Sequence, residues 1–105
     1  MKIKTSELQE GAALNWAVMQ CEEFVEDVFE PSEYWGDGGP IIELHGIELN
    51  RHAGEWVATL VTGGVSVSEE QGPTPLVAAM RCYVASQLGD EIDVPDELCT
   101  EEQTS

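Results

Sequence analysis

Residues 74–89 read TPLVAAMRCYVASQLG and are the most clearly delimited helix in the sequence. Thr74 suits the N-cap, Pro75 suits the first helical position, and Gly89 suits the position just past the helix end. Between these signals, residues 76–85 are apolar almost all round and include small alanines that allow close approach. A helix that is apolar on every side is buried. The stretch therefore predicts a buried helix packed closely on a sheet.

The strands predicted to carry that helix lie in the middle of the chain and near its two ends. Trp56 to Val61 form a strong strand, residues 62–65 a hairpin turn, and residues 66–67 the start of the returning strand. Both faces of the central strand are apolar, so we expect it to be covered on both sides. Three other stretches are predicted to be extended: residues 2–4, 41–49 and 91–95.

A second helix is predicted over residues 10–22, before a long loop. Acidic residues after this helix favour fraying, and Pro31 ends any helix before it. Residues 31–40 and 50–54 are predicted loops, and Gly46 is predicted to form a bulge or tight turn between them. The apolar residues at helical spacing are Leu14, Val18, Cys21, Val25 and Val28.

Together these elements predict one α+β domain over residues 1–98, in which two main helices pack on a small antiparallel sheet in a sandwich-like arrangement. The length of 105 residues is typical of a single domain, and a hydrophobic fraction of 42% is sufficient for one core. Residues 99–105 form an acidic tail that we expect to be frayed, because it has nothing to pack.

The net charge of −17, from 21 Asp and Glu against 4 Lys and Arg, excludes some partners. Four cations cannot form the basic stripe that binds nucleic-acid phosphates or an anionic membrane surface. No apolar run approaches the roughly 18 residues of a membrane span, and no signal-peptide core is expected at the N-terminus. The odd number of cysteines, with no close pair, favours thiols that act as core residues in a reducing cytosol: Cys21, Cys82 and Cys99.

The acidic charge is concentrated towards the two ends of the chain. Residues 1–33 carry a net charge of −6 and residues 82–105 a net charge of −7. Residues 34–81 carry −4 and hold both arginines and both histidines. A site for an anion is therefore expected in this middle segment.

Catalysis has little support in the sequence, and no cofactor or metal is expected. His45 and His52 are predicted to be exposed loop residues, although either could reach a carboxylate for acid–base work. Adjacent acids such as Glu69 and Glu70 point apart rather than into one site, which disfavours metal binding. No nucleophile motif or histidine ligand pair is present. We therefore expect a protein that is not an enzyme.

Two glycine–proline segments, residues 36–40 and 72–74, are the candidate binding loops. Their backbone N–H groups can approach a ligand closely, and the second segment precedes a helix N-terminus, where anions bind. Tight turns and, for Arg81, an internal ion pair are the competing interpretations. An aromatic residue in the first loop could stack on a base or fill a partner's pocket. The predicted ligand-binding residues are Trp35, Gly38, Gly39, Gly72, Thr74 and Arg81, with Arg51 as a further candidate.

Three stretches carry a resemblance to a known family: residues 2–18 (KIKTSELQEGAALNWAV), 35–42 (WGDGGPII) and 72–84 (GPTPLVAAMRCYV). They resemble the NinX family, small accessory proteins of tailed phages and prophages that are classed as a domain of unknown function. The similarity ends at residues 94–98, and residues 22–34 fit less closely. The resemblance implies a phage origin and a location in the host cytoplasm, and it implies no reaction.

Two functions of different classes are compatible with these residues. The first is a binding module for a small nucleotide-like or phosphorylated ligand, which would serve a phage by sequestering a defence signal of the host. The second is an acidic protein that imitates phosphate spacing and occupies a nucleic-acid-binding surface of a basic host protein. We rank the ligand-binding function first, because the segment with the closest motif match keeps its arginines. A homodimer is compatible with either function.

Overall fold

The computed structural model describes residues 2–22 and 29–95, and the fold is α+β as predicted. The helices described are α1 (Ala12–Cys21), α2 (Trp35–His45) and α3 (Pro75–Leu88). The strands are β1 (Lys2–Lys4), β2 (Glu48–His52), β3 (Glu55–Thr62), β4 (Val65–Gly72) and β5 (Glu91–Asp93), and a short 3-10 turn, Thr5–Glu7, follows β1. None of the helices described is both long enough and apolar enough to cross a membrane.

Helix α3 begins and ends where the sequence predicts. The side chain of Thr74 accepts a hydrogen bond from the backbone N–H of Val77 at 3.1 Å, which satisfies one of the free donors of the first turn. Gly89 follows the helix with a φ of +94°, a conformation that favours glycine. Every residue from Leu76 to Val84 is buried, so α3 forms the centre of the protein.

Two antiparallel sheets contact α3. The larger sheet has the strand order β2–β3–β4, and α3 packs against β3 and β4. The smaller sheet joins β1 to β5, the two short strands predicted near the chain ends, with Ile3 opposite Ile92. The hydroxyl of Thr5 donates to the carbonyl oxygen of Gly89 at 2.7 Å. The start of the chain is therefore attached to the end of α3.

The central strand β3 is fully buried on one face only, so the prediction that both faces are covered is wrong. Ala58 and Leu60 are buried, whereas Val61 on the other face is 36% exposed. Helix α3 covers the first face, and the opposite face of the strand keeps contact with solvent. The returning strand β4 continues to Gly72, and its pairing with β3 shifts register beside Val61.

Residues 35–45 form helix α2, where the sequence predicts a loop over 31–40 and extended chain over 41–49. The prediction is wrong because it rests on local propensity. Three glycines and Pro40 lower that propensity without preventing a helix that tertiary contacts stabilise. Gly46 ends the helix in the left-handed conformation, with a φ of +64°, so it is a helix cap and not a bulge in a strand.

Gly38 explains how α2 packs on α3. A Cβ at this position would lie 2.7 Å from Cδ2 of Leu76, in the first turn of α3, and would also meet the carbonyl oxygen of Pro31. Only glycine therefore allows the two helices to approach this closely. The backbone N–H of Glu30 donates to Oδ2 of Asp37 at 2.9 Å and fixes the incoming chain against the first turn of α2.

The hairpin between β2 and β3 has a shorter turn than the predicted loop over residues 50–54. Strand β2 continues to His52, which leaves Ala53 and Gly54 as the turn. Their φ angles are +54° and +86°, the positive values that a two-residue hairpin turn requires. The sequence signal is weak here because alanine rarely adopts this conformation.

Helix α1 agrees with the predicted helix up to Cys21, and Leu14 and Val18 lie in the core. A buried polar contact attaches it to the chain before α2. Asn15 Oδ1 accepts from the backbone N–H of Ser32 at 2.9 Å and from its hydroxyl at 2.7 Å. The described residues do not include Val25 and Val28, which were predicted on the apolar helix face, or Cys99, which was predicted as a core thiol. The acidic tail over residues 99–105 also lies outside them.

Gly72 is a second glycine that packs closely on α3, here against the helix backbone. A Cβ there would lie 2.7 Å from the backbone nitrogen of Ala78 and 3.1 Å from its Cα. We predict that Gly72→Ala lowers the free energy of unfolding by about 1 to 3 kcal/mol, because backbone rather than a flexible side chain must move. Urea denaturation measures the change.

Gly36→Ala is the matched control for this variant. Gly36 lies in α2, and a Cβ there meets no atom within 4 Å. Alanine has the higher helix propensity, so this variant should be more stable by up to about 1 kcal/mol. Equal destabilisation by both variants would contradict the close-approach interpretation of Gly72.

Candidate functional site

Arg81 is the buried charge of α3, with 8% of its surface exposed. Its Nε donates to the carbonyl oxygen of Leu8 at 2.7 Å, and its Nη1 donates to the carbonyl oxygen of Gln71 at 2.8 Å. The sequence left open an internal acid or an anionic ligand as its partner. In the structure two backbone carbonyls accept hydrogen bonds from it, so the guanidinium joins the N-terminal segment to the end of β4. An acidic side chain as a further partner stays a prediction.

A cavity of about 430 Å³ lies beside Arg81. Half of its lining side chains are carboxylates. The pKa of Glu70 lies above its ordinary value, chiefly because burial disfavours the charged form; nearby Asp90 adds to the rise and Arg81 opposes it. The lining residues are Ser6, Glu55, Glu69, Glu70, Gln71 and Arg81.

The negative charge of this cavity disfavours binding of the predicted anionic ligand. Three carboxylates oppose a phosphate group, and two of the nitrogens of Arg81 are already bonded to carbonyl oxygens. Binding of a nucleotide-like ligand here stays a prediction, and the electrostatics of the cavity give it less support than the sequence does.

The two predicted binding segments each pack one glycine against the start of α3. Gly38 packs on the first turn of α3, and Gly72 packs on its backbone at Ala78. Thr74, the last residue of the second segment, uses its side-chain oxygen to cap α3. The close backbone approach that the sequence indicates is therefore present, and what approaches is a helix of the same chain.

Trp35 and Gly39 lie on α2, away from Arg81 and its cavity lining. Trp35 is 55% exposed, and a Cβ at Gly39 would lie 3.9 Å from its ring. Arg51 lies on β2 with its guanidinium 5.4 Å from the ring centroid of Trp56, a cation–π contact. The structure does not gather Trp35 and Arg51 with Arg81 around one cavity.

A second cavity of about 330 Å³ lies along α2, and the sequence did not indicate it. Leu44, on its wall, is 78% exposed. The residues that line it combine apolar side chains with two carboxylates: Glu22, Phe29, Gly36, Asp37, Pro40, Ile41 and Leu44. The spacing of Gly36, Pro40 and Leu44 is helical, so this signal becomes visible once residues 35–45 are known to form a helix.

Tyr83, which does not line the cavity, fixes the carboxylate of Glu22 by a hydrogen bond. The phenol donates to Oε2 of Glu22 at 2.6 Å, and burial together with this hydrogen bond raises the pKa of Tyr83. The ring of His45 packs on Tyr83 at a centroid distance of 4.6 Å, so His45 is a helical residue and not the exposed loop residue predicted. Burial and the nearby Glu22 raise the pKa of Cys21 to about 11.

Within residues 2–22 and 29–95, no group of three or more His, Cys, Asp or Glu side chains lies close enough to hold a metal ion. His52, the other candidate acid–base residue, is exposed at the end of β2.

Glu70 provides a test of the electrostatics beside Arg81. A carboxyl whose pKa is raised in the folded state lowers stability once the pH exceeds its ordinary value of 4.5, because the folded protein then resists ionisation. We predict that Glu70→Gln raises the free energy of unfolding at pH 7, and that the gain disappears below pH 4.5, where both states are protonated. Urea denaturation across this pH range measures it.

The control is Glu48→Gln, which makes the same charge change at an exposed residue of β2 that does not line the cavity. It accounts for the general benefit of removing one acid from a chain of net charge −17. A gain from Glu70→Gln that is no larger than the control's, or that persists in acid, would count against the buried-carboxyl interpretation.

The family model described as "Bacteriophage P22, NinX" matches residues 23–87, which include α2, the larger sheet and nearly all of α3. Residues 23–34 thus lie within the match and residues 2–18 outside it, which corrects the extent of the resemblance inferred from the sequence. No curated protein matches the chain. The chain belongs to the NinX family of phage proteins.

Proposed function

We propose that this phage protein is not an enzyme and docks on a basic host protein, at a surface that otherwise binds nucleic acid. The proposal rests on where the four Lys and Arg residues lie in the structure. Arg81 is buried on backbone carbonyls, and Arg51 lies over the ring of Trp56. Lys2 and Lys4 are in β1, opposite acidic residues of β5. Each cation thus has an internal neighbour, and none forms a basic surface.

Most of the carboxylates that the structure describes, in contrast, are exposed. Their excess is large, since the chain has 21 acidic residues and a net charge of −17. A surface of one sign attracts a partner of the opposite sign and accelerates association, with a range set by a Debye length of about 10 Å at 0.1 M salt. Protein surfaces that bind nucleic acid are basic, so their charge complements that of this chain.

The host cytoplasm is the proposed location of this function. Membership of a phage family supports it, since phage proteins are synthesised in the cytoplasm of the infected cell. Cys21 and Cys82 are free thiols, which suits a reducing compartment.

A small phosphorylated ligand beside Arg81 is the second candidate function. The observation in its favour is the cavity of about 430 Å³, which has the size of a small-molecule site and a guanidinium in its wall. The carboxylates of Glu55, Glu69 and Glu70 line the same cavity and oppose an anion. We therefore place this function second, and sequestration of a host defence signal depends on it.

Capture from host lysate tests the docking function. We predict that immobilised protein retains basic, nucleic-acid-binding proteins at about 0.05 M salt and releases them by about 0.5 M, because salt screens the attraction. A purified captured protein should then lose its nucleic-acid affinity when this chain is added. Retention of no basic protein at low salt would refute the proposal.

A charge variant separates electrostatic docking from other binding. Glu7, Glu10, Glu43 and Glu48 are exposed, and changing all four to Gln reduces the net charge from −17 to −13. Affinity for the captured protein should fall by at least about tenfold at low salt, with the thermal stability kept. Unchanged affinity would mean that charge does not drive the interaction.

A further inference from the structure

The cavity along α2 has features of a docking surface as well as of a small pocket. Leu44 is 78% exposed on its wall, although it is a large aliphatic side chain. Phe29, Pro40 and Ile41 continue the apolar lining. Apolar side chains gathered around a concave surface are typical of protein interaction sites, and single scattered ones are not. We call this set of lining residues the α2 cavity.

Two carboxylates in the α2 cavity are held in place by internal hydrogen bonds. Oε2 of Glu22 accepts from the phenol of Tyr83, and Oδ2 of Asp37 accepts from the backbone N–H of Glu30. The other oxygen of each carboxylate takes no hydrogen bond from the described residues. Each group is thus positioned by one oxygen and presents another to a further donor, which lowers the entropy cost of binding a cation there.

The lining of the α2 cavity is complementary to both parts of a long basic side chain. Lys and Arg have an aliphatic stem that packs on apolar surface and a charged head that pairs with carboxylates. Phe29, Ile41 and Leu44 suit the stem, and Glu22 and Asp37 suit the head. The volume of about 330 Å³ is sufficient for one such side chain.

We propose that the α2 cavity receives a lysine or arginine side chain from a basic amphipathic segment of the partner, while Leu44 packs on the apolar face of that segment. The inference rests on the proposed docking function and specifies its site. Charge complementarity selects this occupant, because a second copy of the chain would itself carry a net charge of −17. Trp35 is outside the proposed contact, since nine residues at 100° each place it on the side of α2 opposite Leu44.

Titration with synthetic peptides, followed by amide NMR of the labelled protein, tests the site. The probe is a peptide of about 18 residues built from leucine, lysine and arginine with one apolar face, and a scrambled peptide of equal charge is its control. We expect the largest shifts at α2 amides such as Gly36 and Leu44. The scrambled peptide should bind at least about tenfold more weakly, because it lacks the apolar face.

Four variants assign the contacts. Leu44→Ala and Asp37→Asn should each weaken binding of the amphipathic peptide by about five- to tenfold. Trp35→Ala removes an exposed side chain on the other side of the helix, and Glu55→Gln makes the same charge change as Asp37→Asn in the cavity beside Arg81. Both control variants should bind within about twofold of the unmodified protein. Leu44 is exposed, so its truncation leaves the fold intact.

Three outcomes would overturn the inference. Test variants that bind as well as the controls, or peptide shifts centred away from α2, would remove the site while leaving the docking function in place. Shifts at α2 that grow with protein concentration in the absence of peptide would identify a second copy as the occupant. The proposed docking function is tested separately, by the capture of basic proteins from host lysate.

Discussion

The rest of the structure depends on the hydrogen bonds that the buried guanidinium of Arg81 donates. It is a charge in the middle of a buried helix, and a buried charge without partners costs several kcal/mol. Its hydrogen bonds to the carbonyl oxygens of Leu8 and Gln71 compensate for that cost. One of these partners is 73 residues away in sequence, so the contact fixes the N-terminal segment and the end of β4 relative to α3 at once.

Two glycines make the same arrangement possible from either side of α3. Gly72 allows β4 to approach the backbone of Ala78, and Gly38 allows α2 to approach Leu76. Both contacts fall in the first turns of α3, where Thr74 caps the helix. The start of the central helix is therefore enclosed by a strand, a second helix and its own cap.

The sequence predicts the parts of the fold whose signals are local. The caps of α3, the Gly63–Gly64 turn and the terminal strands depend on nearby residues, and each is confirmed. Helix α2 could not be predicted in this way, because its three glycines and Pro40 lower its helix propensity, while its packing against α3 requires glycine at Gly38.

Prediction of the candidate site from the sequence is likewise limited to local signals. Close backbone approach at Gly38 and Gly72 follows from the sequence, but the identity of what approaches does not. Glu22 and Asp37 lie far apart for a local motif, and only the fold brings them to one cavity.

The internal role of Arg81 leaves the acidic surface to meet the proposed partner. The most direct test of that role is the free energy of unfolding of Arg81→Met, measured by urea denaturation at pH 7. We predict a loss of about 2 to 4 kcal/mol, with a smaller loss for Arg81→Lys, which keeps the charge but not the fork of donors. Stability of Arg81→Met within about 0.5 kcal/mol of the unmodified protein would contradict an internal role for Arg81.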